Sequence, residues 1–380
     1  MPDELRALTR LTFEELRLAT GGIGQIHRAI ADRAFGAAGG GTPRAVHDAI
    51  SGAVYGGLRA GARLAGHGLA PLVSGTISDS PRGAAVLAVL NGLRGDALER
   101  EGSELASPME FRVGGRSVAP ADLAVSARVV VFVHGLFETE HAWGRDSYGA
   151  RLERDLGVTA LYVRFNTGRH ISENGRSLAA LLDELVAAHE ITRIALVGHS
   201  LGGLVARSAC ATGGAWTARV RHTVSLGTPH TGAPLESAVH YASAALGAVP
   251  ETRPFAGFLR RRSAGIRDLR SGSLVDEDWR GRDPEALRAA ACAEVPLLEG
   301  AAHHFVAATV TRSASHPVGR LVGDWLVLRP SASGRSGVRV IGFRAEDGIH
   351  LGGTHHLALL NHPQVYEHLR DWLARSPRAG

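Results

Sequence analysis

In this 380-residue chain, the residues most suited to chemistry by type and spacing are Gly198-His199-Ser200-Leu201-Gly202-Gly203. This G-x-S-x-G run follows the apolar stretch Ile194-Ala195-Leu196-Val197. It precedes the helix-forming stretch Leu204-Val205-Ala206-Arg207-Ser208-Ala209. A strand, a sharp turn and a helix in that order form the context of a nucleophile elbow. Glycines flank the serine because a Cβ there would collide with the neighbouring strand or helix. The serine hydroxyl is then held exposed near the positive end of the following helix.

A serine nucleophile needs a general base, and the base needs an orienting carboxylate. Late in the chain, a loop carrying Gly323-Asp324-Trp325-Leu326-Val327 follows a strand expected at 305–311. A strand expected at 338–343 precedes a loop with His350, His355 and His356. The chain order is therefore Ser, Asp, His. For the acid, Asp276, Asp278 and Asp347 compete with Asp324; for the base, three histidines stand open.

The elements that must position these residues change character near Pro108. Residues 1–107 read as an α-helical region broken by glycine. One helix is expected within Phe13–Phe35, a linker over Ala37–Thr42, and a second helix from Arg44 to Leu64. A third is opened by Ser80-Pro81. Met109–Val118 alternates around Gly114-Gly115, a hairpin signal. Strands and helices then alternate. Strands are expected at Arg128–Val133, Ala160–Phe165, Arg193–Val197 and Val220–Leu226. Helices are expected at Asp146–Leu156, Ser177–His189, Gly203–Ala211 and Pro363–Ala374. The expected fold class is α/β, a mostly parallel sheet with helices on both faces and the hairpin at one edge. Residues 229–300 break the rhythm and read as a cap or lid insertion above the carboxyl edge of the sheet.

Five segments together resemble an α/β-hydrolase of the bacterial lipase/esterase kind, over residues 108–380. They are Val131-Phe132-Val133-His134-Gly135-Leu136, Phe165 to Ser172, Gly198 to Gly203, Ser225 to Gly232 with its Gly-Thr-Pro-His core, and a closing pair. That pair is Gly-Asp-x-Leu-Val at 323–327 with His-x-x-Leu-Leu at 356–360. The resemblance implies Ser200 as nucleophile, His356 as base and Asp324 as its orienting acid. It implies backbone N–H groups of Leu136 and Leu201 as the oxyanion hole. The implied activity is carboxylic-ester hydrolysis. An acyltransferase with the same triad is a second reading, because the triad is silent on the acyl acceptor. A third treats the N-terminal helices as dominant, contacting a lipid surface or pairing two copies as a homodimer.

Composition excludes other classes. Apolar residues make up 44% of the chain, enough for a large core, and its 42 basic residues are all arginine against 37 acids. A net charge of +5 spread along the chain gives no nucleic-acid footprint, and the cluster Arg260-Arg261-Arg262 reads as a solvated face. Two cysteines, Cys210 and Cys292, imply free thiols rather than a disulfide framework. No phosphate loop, dinucleotide fingerprint or metal-ligand spacing is read, so no cofactor and no metal are expected. Met1–Leu18 lacks an apolar core of the signal-peptide kind, so a cytoplasmic protein is expected. The small-residue spacing Gly52/Gly56 and Gly57/Gly61 fits close helix packing, or an amphipathic helix at a membrane surface.

Overall fold

The computed structural model describes residues 3–15, 25, 48, 51–52, 56–64, 75–233, 262–284, 286, 291–336 and 339–375. Most of the helix expected within 13–35, the linker 37–42, Arg260, Arg261 and residues 234–261 of the insertion lie outside these. The chain divides into two compact units. One comprises Met1–Ser78, Gly102–Leu105 and Ala238–Arg262; the other comprises Asp79–Glu101, Ala106–Ser237 and Ser263–Gly380.

In the first unit a helix runs through residues 4–15. The Glu4 carboxylate accepts from the N–H groups of Ile77 (2.6 Å) and Ser78 (2.8 Å). Among the described residues, a Cβ on Gly52, Gly56, Gly57 or Gly61 would meet nothing within 4 Å.

The second unit is built on an eight-stranded sheet. Its strands are β1 (Glu110–Val113), β2 (Arg116–Val118), β3 (Arg128–Val133), β4 (Thr159–Arg164), β5 (Arg193–His199), β6 (Val220–Leu226), β7 (Ala302–Thr309) and, last in the chain, Gly348–Gly352. That last strand pairs with β7, so the spatial order is Gly348–Gly352, β7, β6, β5, β3, β4, β1, β2. The pairings among β3, β4, β5, β6, β7 and Gly348–Gly352 are all parallel. β1 runs antiparallel to β4 and β2 and forms the expected edge hairpin. Its turn residues Gly114 and Gly115 have φ of 56° and 81°, the pair of positive values a type I′ turn demands.

β3 is apolar from Val129 to Val133 because both its faces are covered. In β3, Val129, Val131 and Val133 join a core with Leu178, Leu182 and Leu185 of the helix Ile171–Ala188 and with Leu204 and Val205 of the helix Leu201–Thr212. Val130 and Phe132 join a second core with Tyr148 and Leu152 of the helix Tyr148–Leu156 and with Val365 and Leu369 of the helix Pro363–Ala374. Leu182 has no exposed surface. Leu182→Ala is expected to destabilise the fold by about 2–5 kcal/mol through lost transfer energy and a cavity. Urea unfolding measures this, and a loss under about 1 kcal/mol would mean that the site collapses to fill the gap.

The helix Pro81–Arg100 lies in the same unit as the sheet. Ser80 caps it by accepting from Gly83 N–H (3.0 Å), and proline sits in its first turn. It approaches the loop after β4 closely: a Cβ on Gly95 would lie 1.7 Å from Asn166 Oδ1. Asn166 Nδ2 donates to Gly95 O at 2.9 Å.

One expected element is corrected. The strand expected at 338–343 contributes only β9 (Arg339–Val340), which pairs antiparallel with β8 (Arg335–Ser336) in a separate two-stranded ribbon. Gly348–Gly352, now β10, takes the sheet position instead and carries His350. Its sequence, Gly-Ile-His-Leu-Gly, has little strand propensity of its own; pairing along β7 imposes the conformation.

Candidate active site

The chain order of the strands reverses between β3 and β5, which lie side by side. Such a switch point leaves a crevice at the carboxyl ends of the strands. Val133 of β3 pairs with Gly198 of β5, so the turn at His134-Gly135-Leu136 emerges beside Ser200. A Cβ on Gly135 would lie 3.0 Å from Ser200 Cβ.

Ser200 has φ 52° and ψ −123°, a strained combination for a residue with a Cβ. The surroundings impose it. Ser200 N–H donates to Leu226 O at 2.9 Å, and the helix Leu201–Thr212 begins immediately after it. A Cβ on Gly198 would lie 2.5 Å from Gly203 N, and one on Gly202 would lie 2.2 Å from Val133 O. Both glycines of the motif are therefore sterically required.

Asp324 is buried and fully bonded. Its Oδ1 accepts from Leu326 N–H (3.0 Å) and Val327 N–H (2.8 Å). Its Oδ2 accepts from His356 Nδ1 at 2.7 Å, and its main-chain O accepts from His356 N–H at 2.9 Å. His356 is therefore held by both its ring and its backbone. Its Nε2 is buried without a hydrogen-bond partner among the described residues. Gly227, at φ 58°, passes beside this ring, where a Cβ would lie 3.1 Å from Nδ1. Gly227 directly follows Leu226, whose carbonyl holds Ser200 N–H. The Gly-Thr-Pro-His segment thus lies against both the turn at Ser200 and the loop bearing His356.

The competing residues are engaged elsewhere. His355 is exposed. His350 lies within β10, its Nε2 3.0 Å from Thr309 Oγ1. Asp347 accepts from Arg344 Nε at 2.7 Å. Asp278 accepts from Leu274 N–H and Ala293 N–H, and Asp276 accepts from Ser172 and Arg176.

The turn Gly135-Leu136-Phe137-Glu138 is closed by Glu138 N–H donating to Gly135 O at 3.3 Å, with Phe137 at φ 62°. Leu201 opens the helix after Ser200, where a first-turn N–H has no partner within the helix. His134 is buried, stacks on Phe165 (centroids 4.4 Å apart) and bonds Gly135 O through Nδ1 at 2.9 Å. Burial pushes its pKa down, so it orients the turn as a neutral ring. Trp143 is fully buried against Phe132, whereas Trp325 is exposed beside Asp324. Sequence spacing gave no signal for Glu138, whose carboxylate accepts from Gly135 N–H at 2.7 Å. Both thiols are free, and burial pushes that of Cys210 up to about 12.

Residues 124–252 match the family described as PGAP1-like alpha/beta domain. Over 133 residues the chain is 32% identical to a triacylglycerol lipase of Burkholderia plantarii, a stretch covering 33% of this chain and 36% of that protein. The match thus spans about a third of the length of that curated relative. Among solved structures, the chain is similar to Bacillus licheniformis lipase BlEst2 in its propeptide form, with TM-score 0.46 and 18% identity over 67% of this chain and 52% of that one. It is also similar to Aspergillus fumigatus lipase B, with TM-score 0.42 and 12% identity over 66% and 53% of the two chains.

Proposed function

We propose that this chain, a lipase/esterase-like α/β-hydrolase, cleaves carboxylic esters through an acyl-enzyme on Ser200. The observation that carries the reading is the buried Asp324–His356 pair at 2.7 Å, adjoining the elbow that holds Ser200 in a strained conformation. In this mechanism Asp324 accepts a hydrogen bond from His356 Nδ1–H, which keeps the proton on Nδ1 and the lone pair on Nε2. Nε2 takes the proton of Ser200 as Oγ attacks the acyl carbonyl. The N–H groups of Leu136 and Leu201 receive the charge that develops on the carbonyl oxygen. The imidazolium returns its proton to the leaving alcohol, and water completes the cycle by the same steps.

A lipophilic acyl group fits the surroundings. Phe137, Trp325, Leu326 and Leu357 are exposed, and each follows within two residues of a group assigned above. No helix among the described residues is long and apolar enough to cross a membrane. The test uses p-nitrophenyl esters of increasing chain length and a fluorophosphonate probe. Each buried methylene is worth about 0.8 kcal/mol, so kcat/KM should rise roughly fourfold per carbon until the pocket is filled. The probe should label Ser200. Absence of both turnover and labelling would sink the enzyme reading, and a flat chain-length profile would sink the lipophilic one.

A further inference from the structure

One buried charged pair beside Ser200 takes no part in the proton transfers above. His199 is fully buried, and each of its ring nitrogens faces an oxygen. Nδ1 lies 3.0 Å from Glu138 Oε2, and Nε2 lies 3.3 Å from the main-chain O of His356. A carbonyl oxygen only accepts, and so does an ionised carboxylate. Satisfying both oxygens therefore needs a hydrogen on each nitrogen, which is the imidazolium. The same Glu138 Oε2 accepts from Gly135 N–H at 2.7 Å. Gly135 stands where these groups converge: a Cβ on it would lie 3.1 Å from Glu138 Oε2, 3.1 Å from His199 Nδ1 and 3.0 Å from Ser200 Cβ.

We propose that Glu138 and His199 form a permanent buried ion pair that ties the turn bearing Leu136 to the elbow and to the backbone of His356. Glu138 is then a positioning residue for the ester hydrolysis proposed above, and this role rests on that reading; the charge state of the pair does not. Three loops that must keep their register meet at one carboxylate and one ring. The turn they hold carries Phe137 at φ 62°, a conformation that persists only where neighbours over-determine it.

The electrostatics agree with the geometry. Burial acts to lower the His199 pKa, but the Glu138 carboxylate and the hydrogen bond to it outweigh burial and hold it above the ordinary imidazole range. Burial acts to raise the Glu138 pKa, but the His199 charge and hydrogen bond and the Gly135 N–H outweigh burial and hold it below the ordinary carboxylate range. A raised base and a lowered acid both favour the charged forms. The other groups facing the pair are Asp324, which also favours the cation, His134 beside Glu138, and the His356 ring, whose centroid is 4.7 Å from that of His199.

The charge is read directly by NMR of the full chain labelled with 15N-histidine, with the His199 signal assigned by its loss in His199→Gln. At pH 7.5 the wild-type His199 ring should carry both protons. In Glu138→Gln the amide oxygen can still accept from Gly135 N–H and from Nδ1–H, but the carboxylate charge that favours the cation is gone, so the ring should become neutral. A neutral His199 in the wild type, or no change in Glu138→Gln, overturns the ion pair. For the positioning role, Glu138→Ala should lower kcat on a p-nitrophenyl ester about tenfold to a hundredfold with KM nearly unchanged, because a displaced oxyanion donor acts only in the transition state. Glu138→Gln should recover most of that loss. An unchanged kcat in Glu138→Ala, or a loss confined to KM, overturns the positioning role. Should Glu138→Ala fail to fold, the role is decided by Glu138→Asp, whose carboxylate is one methylene short of Gly135 N–H and should lower kcat with KM nearly unchanged; an unchanged kcat overturns it. The NMR result needs no turnover, so a wild type that neither hydrolyses esters nor takes the probe counts against the ester reading alone.

Discussion

Ser200→Ala is expected to lower kcat by about 10⁵- to 10⁶-fold, the scale seen when a nucleophile that acts as part of a triad is removed. KM should stay within a few-fold, because binding surfaces are untouched. Fluorophosphonate labelling should disappear. A companion substitution separates chemistry from strain. The backbone at Ser200, φ 52° and ψ −123°, is a region that glycine enters without penalty. Ser200→Gly should therefore be as inactive as Ser200→Ala, yet more stable than the wild type by about 1 kcal/mol, after allowing for the entropy of the more flexible unfolded chain. Denaturant midpoints and ester turnover measured on the three proteins decide the matter. Retained hydrolysis in Ser200→Ala would remove the residue from the mechanism. A destabilised Ser200→Gly would show that the turn is not strained in solution.

That strain was legible in the sequence only as a motif, and other features show where legibility ends. Strands with continuous apolar runs, such as Arg128–Val133 and Arg193–His199, fall where expected, since burial on both faces leaves little room for another pattern. The helix expected at 177–189 starts instead at Ile171. Its first turns carry Asn174 and Gly175, which disfavour helix locally. Tertiary packing requires them: a Cβ on Gly175 would lie 2.2 Å from Ser208 Oγ on the neighbouring helix. The same reason hid β10, whose terminal glycines read as turns. Val338–Phe343 read as a strand because its alternation is good, but alternation alone cannot specify a partner, and only Arg339–Val340 pairs. Motif alone singles out the acid and base from several candidates. The structure brings Asp324 and His356 together and leaves His355 in solvent. The bond from Glu138 to His199 joins residues 61 apart in sequence, and no local pattern could have announced it.

Asp324→Asn is the second substitution with a large expected effect, a fall of about 10⁴-fold in kcat with the fold intact. The asparagine Oδ1 can still accept from Leu326 N–H and Val327 N–H, and the backbone bond to His356 N–H is unaffected. The loop therefore keeps its shape. What changes is the atom facing His356 Nδ1, which turns from an acceptor into an N–H donor. Nδ1 must then accept, so the ring proton moves to Nε2, the nitrogen that should receive the serine proton. The base is present but in the wrong tautomer. Asp324→Ala gives the control, because it also strands two N–H groups and should cost about 1–3 kcal/mol of stability for each, where asparagine costs little. His355→Ala, at an exposed position, should stay within a few-fold of the wild type, whereas His356→Ala should match Ser200→Ala. Turnover by Asp324→Asn above a tenth of the wild-type rate would move the acid elsewhere. Asp347 would then have to leave its bond to Arg344 to serve, a rearrangement that Arg344→Ala would make easier and therefore expose.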